Sequence, residues 1–184
     1  MYGEAKEFKK GELKTSYYEE RLKQAVEIQK RLDSMKKVVK PEEMPWEICR
    51  EGKLKHIANE KMDVRITAID VYIQEIPPGS RSGKHRHMTE ERLFVLEGKG
   101  YDLHWDPDLY LDDIYHWDVL KESKKFEWEE GDCVIIPPMV VHQHFNTDHK
   151  KPARVIIANG RLHRHVGCPL WEQIEDAPEY KEEA

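Results

Sequence analysis

The sequence predicts an all-β sandwich or barrel carrying an N-terminal α-helical extension, and three observations predict it. Between Trp46 and Asn159, short apolar segments recur at close intervals with glycine and proline between them. Before Pro41, apolar residues instead repeat at helical spacing. After Asn159 neither pattern continues. Many short strands divided by turn signals are the pattern of a two-layered or closed β architecture.

The elements follow in order. Tyr18 to Val39 places Leu22, Ala25, Val26, Leu32 and Met35 on one helical stripe, and Pro41 and Pro45 close it. Acidic residues interrupt its polar face, so the helix is expected to pack on its own domain or on a symmetry mate rather than on a membrane. Ala68 to Ile76 alternates Ile69, Val71 and Ile73 against Asp70, Tyr72 and Gln74, and Pro77-Pro78-Gly79 ends it. Which of those faces is inner stays open at this point. Arg92 to Leu96 reads as a buried strand ending at Gly98, followed by strands at Tyr101 to Trp105, Lys125 to Trp128, Val134 to Ile136, His142 to Asn146 and Arg154 to Ala158. The stretch Asp106 to Ser123, with Tyr110, Tyr115, His116 and Trp117, is either a lid or a packed surface loop. His165 to Trp171 looks like an extended arm. The expected organisation is a helical extension over 1–45, a barrel over 46–160 and an arm over 161–184.

Chemistry is concentrated in two stretches. His85 and His87 alternate with Arg86, so on a strand both imidazoles project to one face. Met88-Thr89-Glu90 is polar enough to turn and bring Glu91 back toward them, and His142-x3-Asn146 follows some fifty residues later. Glycines and prolines frame both stretches: Gly79-x5-His85-x-His87-x3-Glu91-x6-Gly98 and Gly131-x5-Pro137-x-Met139-x2-His142-x3-Asn146. His163-Arg164-His165 has neither a spaced glutamate nor such framing, and reads as solvated or at an interface.

The framed spacing resembles the paired signature motifs of the cupin superfamily. The first motif matches at every defining position. The second departs at Met139, where the family usually has glycine, which suggests a turn without positive φ or a side chain pushed toward the pocket mouth. The resemblance covers residues 79–146 and implies a double-stranded β-helix, a small jelly-roll barrel with its metal in one open end. Pairing of such barrels is also common in the family, which together with the amphipathic helix and apolar tail leads to the expectation of a homodimer.

Three imidazoles and a carboxylate at His85, His87, His142 and Glu91 suit one divalent ion per chain with about two open positions. Fe(II) is favoured among Fe, Mn, Ni, Co and Zn. His144 lies two residues beyond His142 and is expected to share its face as an acid or base. Asn146 shares that parity. Tyr72, Gln74, Arg81 and Lys84 are the further candidates for meeting substrate, the last two through a carboxylate. The resulting expectation is an Fe(II)-dependent dioxygenase of a small organic acid or phenolic compound, with gentisate-type ring-cleaving cupins the nearest in motif texture. A metal-dependent isomerase, lyase or decarboxylase, or a ligand-binding cupin without turnover, is the alternative.

Composition narrows the partners. A net charge of −6 without a basic cluster gives no footprint for nucleic acid. No apolar run has the length of a membrane span, and Met1 to Lys6 lacks the apolar core of a signal peptide, so a cytoplasmic location is expected. Cys49, Cys133 and Cys168 are odd in number and widely spaced, which suits reduced thiols.

Overall fold

The computed structural model describes residues 15–66, 68–167 and 170–182, together with the backbone but not the side chains of Tyr115 and Trp117. Met1 to Lys6, Thr67, Cys168 and Pro169 lie outside the described residues. The chain divides into two compact units with the boundary between Met35 and Lys36. In the first, helix α1 spans Tyr17–Ser34, with Glu19 and Glu20 in its first turn and Arg31 in its last, each sign suited to the helix dipole. It ends before any proline. Met35 is extended, and Lys36 takes up backbone pairing with Asp63 and Arg65 instead of continuing the helix.

The second unit is built of strands. In chain order these are β1 (Trp46–Cys49), β2 (Gly52–Ala58), β3 (Ile69–Ile76), β4 (Lys84–His87), β5 (Glu91–Glu97), β6 (Lys99–Trp105), β7 (Pro107–Leu111), β8 (Tyr115–Val119), β9 (Lys124–Glu129), β10 (Cys133–Ile136), β11 (Val141–Asn146), β12 (Ala153–Gly160) and β13 (Trp171–Glu175), with a short helix α2 at Leu162–His165. One sheet has the order β1-β2-β3-β12-β5-β10 and the other β13-β4-β11-β6-β9, with antiparallel pairing throughout. This is the double-stranded β-helix expected from the sequence. The stretch 106–123 forms its own exposed hairpin from β7 and β8. No helix among the described residues is long and apolar enough to cross a membrane.

Burial settles which face of each strand is inner. On β3, Tyr72, Gln74 and Ile76 are buried while Ile69 is exposed and Val71 and Ile73 are half-buried, so the polar face of the alternation points inward. Glu91, Leu93 and Val95 point inward on β5, and Phe94 and Leu96 outward. The strand read as buried is therefore half-buried, its alternation hidden because two of its outer residues, Phe94 and Leu96, are apolar too. Leu54, Leu93, Val95, Trp128, Val155 and Ile157 fill the apolar part of the barrel.

Met139 keeps the positive φ that glycine would have supplied, at 67°. Its side chain is buried, so the two consequences oppose each other. A left-handed backbone costs a non-glycine residue about 1–2 kcal/mol, whereas truncating a buried methionine costs about 2–5 kcal/mol. Met139→Gly is therefore expected to lose about 0–4 kcal/mol net in urea unfolding, with no gain from restoring the residue usual at that turn.

Candidate metal centre

Sheet register assembles the site. His85 and His87 occupy alternate buried positions of β4, while Arg86 between them turns outward to Glu172 at 2.6 Å. His142 on β11 lies directly opposite His85. Glu91 opens β5 from the facing sheet and is fully buried. One donor atom from each of His85, His87, Glu91 and His142 lies within 4.8 Å of all the others. The structure thus brings together the four residues expected to ligate, in a geometry that could hold a metal ion.

The surrounding hydrogen bonds fix which nitrogen faces the centre. His87 Nδ1 donates to the Thr89 carbonyl at 2.8 Å, and His142 Nδ1 donates to the Val140 carbonyl at 2.9 Å. A neutral imidazole has one N–H, so both rings present an Nε2 lone pair inward. Those lone pairs meet Glu91, with His87 Nε2 at 3.2 Å from Oε2 and His142 Nε2 at 3.7 Å from Oε1. Acceptors facing acceptors in a buried site repel unless a proton or a cation lies between them. Both nitrogens of His85, Oε1 of Glu91 and Nε2 of His142 are buried without a hydrogen-bond partner among the described residues. Each such group costs about 1–3 kcal/mol when left unsatisfied, so the donor set fits a divalent ion.

Burial pushes His85 well below the usual histidine range, with the neighbouring His142 adding to it, and pushes His142 down to about 4. Burial alone would raise Glu91, but the adjacent imidazoles of His144, His87 and His142 hold it well below the usual carboxylate range. His87 rises in spite of its burial because Glu91 is beside it. His144 rises to about 10: burial opposes its charge, and Asp102 and Glu91 outweigh burial. Its Nδ1 lies 2.9 Å from Asp102 Oδ1 and its Nε2 lies 3.6 Å from Glu91 Oε1. A divalent ion among the ligands would oppose that protonation by direct repulsion.

A cavity of about 480 Å³ adjoins the centre, lined among others by Glu51, His56, Tyr72, Asn159, Arg164 and Trp171. Asn159 Nδ2 donates to Glu91 Oε2 at 3.5 Å. Trp171 pairs with His87 across β13 and β4 and stacks on His85 at 5.4 Å between ring centroids, 11° from parallel. Of the expected substrate residues, Tyr72 lines this cavity. Gln74 is buried beside it and donates to the Glu51 carbonyl at 2.8 Å. Asn146 spends its amide on the carbonyls of Ile76, Pro77 and Lys151, so it pins a loop. Arg81 pairs with Glu175, and Lys84, alternating with His85, sits over the Trp105 ring at 3.9 Å. Neither cation is brought to the ligand set.

Sequence reasoning missed Glu51, Asp102, Asn159 and Trp171. Asp102 had a signal, a carboxylate between Tyr101 and Leu103 in the strand read from Tyr101 to Trp105, and in the structure Trp128 Nε1 donates to it at 2.8 Å. Asn159 continues the inward parity of Val155 and Ile157 on β12. Glu51 sits in a turn and Trp171 on a distant strand, and no local pattern points either of them at the centre.

Comparison with known proteins adds the relationship. The family model described as auxin binding protein matches residues 32–166. Auxin-binding protein T85 of Nicotiana tabacum is 32% identical over 93 residues, which are 50% of this chain and 46% of that protein. The chain thus aligns with about half the length of this relative. Among solved structures, a Lactobacillus farciminis oxalate decarboxylase in complex with formate superposes at TM-score 0.52 and 18% identity, over 73% of this chain and 34% of its own. The polyketide cyclase RemF of Streptomyces resistomycificus does so at TM-score 0.52 and 16% identity, over 80% and 89% of the two chains. At these identities the structures speak for the fold.

About one divalent ion per chain is expected by elemental analysis, falling to a small fraction in His85→Ala/His142→Ala. Full metal content in that double variant would overturn the ligand assignment. Because protons compete for the same nitrogens, bound metal should fall on acidification.

Proposed function

Since the chain belongs to the auxin-binding protein family of the cupin superfamily, we propose that it takes a small organic acid at a metal ion held by His85, His87, Glu91 and His142. The observation that carries this reading is the 480 Å³ cavity, lined by Asn159 and Trp171, which also touch those ligands. Related proteins lend support through chemistry. One relative is named for binding auxin, and a neighbour of like fold is an oxalate decarboxylase in complex with formate. When bound, a divalent ion supplies a Lewis acid at the end of the cavity, and Fe(II), which suits mixed nitrogen and oxygen donors, adds reactivity toward dioxygen.

The chain's own residues divide the remaining work. Trp171 offers an aromatic wall, and the buried side chains of Leu54, Tyr72 and Asn159 form part of the cavity lining. His144 is the acid or base we assign: Asp102 holds Nδ1–H, so Nε2 is the atom turned toward the centre. Dioxygenation of a small organic acid or phenol is the reaction we assign to the Fe(II) form. Binding without turnover is the second reading, favoured by the family's own description.

The deciding experiment incubates Fe(II)-loaded protein with a panel of aromatic and aliphatic acids under air and follows oxygen and products. Oxygen uptake with product supports dioxygenation, product without uptake supports the isomerase, lyase or decarboxylase alternative, and saturable binding with neither supports a ligand-binding protein. Absence of any metal-dependent binding would overturn the reading. In the turnover cases His144→Ala should lower the rate by about a hundredfold or more while metal content stays near that of the parent.

We also propose a homodimer. Phe94, Leu96 and Ile135 are 44%, 37% and 52% exposed on the outer face of adjacent strands β5 and β10, a contiguous apolar surface of the kind that ordinarily meets a partner. Light scattering at micromolar concentration should give twice the chain mass, and Phe94→Asp should shift it toward one. A monomeric parent would remove the proposal.

A further inference from the structure

The hairpin joining β1 to β2 turns on two residues, Arg50 and Glu51, because Cys49 pairs with Gly52. A glutamate at so tight a turn is ordinarily solvated. Here the turn is tied down from three sides: the Glu51 carbonyl accepts from Gly83 N at 3.0 Å and from Gln74 Nε2 at 2.8 Å, and the Arg50 carbonyl accepts from Ala177 N at 2.8 Å. The two side chains then part. Arg50 reaches toward Asp176 and Glu182 on the surface, whereas Glu51 turns into the cavity and accepts a hydrogen bond from the buried Tyr72 hydroxyl at 3.1 Å.

That placement puts a carboxylate in the same cavity as the side chains that touch the metal ligands. Burial, then repulsion from Glu91, pushes the Glu51 carboxyl up to about 7. Tyr72 from β3, His87 from β4 and His144 from β11 act on it, with Cys49 on its own hairpin, and His56, Lys61, Asp70 and Arg164 line the same cavity. An ionised carboxylate only accepts hydrogen bonds. With Tyr72 occupying Oε2, no side chain or amide among the described residues donates to Oε1.

Building on the organic-acid reading above, we propose that Glu51 sets the cavity's specificity, accepting a hydrogen bond from a hydroxyl or amine of an acid held at the metal and repelling a second carboxylate there. The ligand class is therefore a monocarboxylic acid with a donor group, rather than a dicarboxylic acid. Tyr72 is the positioning residue that aims Glu51.

Zinc is redox-inert, so binding to the zinc-loaded full chain can be measured without oxidative turnover. Calorimetry at pH 8, where Glu51 is ionised, would compare benzoate with the three hydroxybenzoate isomers and the three benzenedicarboxylate isomers. At least one hydroxy isomer should bind more tightly than benzoate, and the matching dicarboxylate more weakly, each by about tenfold, the scale of one hydrogen bond to a charged group. In Glu51→Gln, checked for unchanged zinc content and circular dichroism, both ratios to benzoate should close to within about threefold. Tyr72→Phe keeps the charge and loosens its aim, so the dicarboxylate penalty should persist while the hydroxyl preference shrinks. Equal binding of all isomers by the parent, or an unchanged ranking in Glu51→Gln, would overturn the role of Glu51 even where benzoate binds. Failure of benzoate itself to bind would overturn the organic-acid reading and this inference with it.

Discussion

The arrangement of the barrel follows from one constraint, the burial of the Glu91 carboxylate. Taking an ion out of water costs several kcal/mol unless its oxygens are met by donors or by a cation. The nearest groups cannot all be donors. His87 and His142 commit their Nδ1 protons to main-chain carbonyls and turn lone pairs toward Glu91. Asn159 donates only at 3.5 Å. The arrangement is self-consistent with positive charge at its centre, which is why the same four side chains that look frustrated as a hydrogen-bond network look orderly as a ligand set.

Around that centre a second carboxylate does the organising. Asp102 is fully buried on β6 and receives Trp128 from β9 and His144 from β11, so one side chain ties together three neighbouring strands of the smaller sheet. Burial works against its charge, and the histidines and the indole hold it well below the usual carboxylate range. His144 stands between the two carboxylates. Its orientation is thereby decided from both sides, and a change at Asp102 reaches Glu91 through one imidazole.

Placing so much polarity inside displaces hydrophobicity outward. Tyr72 and Gln74 occupy inner positions of β3, while Ile69 and Phe94 stand on the outer surface of the larger sheet. The apolar core is confined to the part of the barrel holding Leu54, Leu93, Val95, Val155 and Ile157. One continuous face of β5 thus passes from Glu91 at the metal end to Val95 in the core, and the two halves of the barrel are chemically distinct along single strands.

The sequence by itself determined the strand-rich barrel, its helical preface and the four metal-ligating candidates, because those rest on short-range regularities. The alternation of His85 and His87 puts two imidazoles on one face whatever the strand pairs with, and a polar turn returns Glu91 within a few residues. His142 could be added only through its framed motif. What tertiary structure alone decided depends on pairing between distant strands. The inner face of β3 was undetermined because both of its faces carry bulky side chains, and only pairing with β2 and β12 chooses Tyr72 and Gln74 for the interior. Trp171 reaches His85 because β13 pairs with β4 from more than eighty residues away, as Gln173 opposite His85 shows. Glu51 enters the cavity because Gly83 and Gln74 fold its turn inward. Local sequence carries the periodicity that selects a strand, whereas which face is buried, and what a turn residue meets, are set by hydrogen-bond register across the sheet.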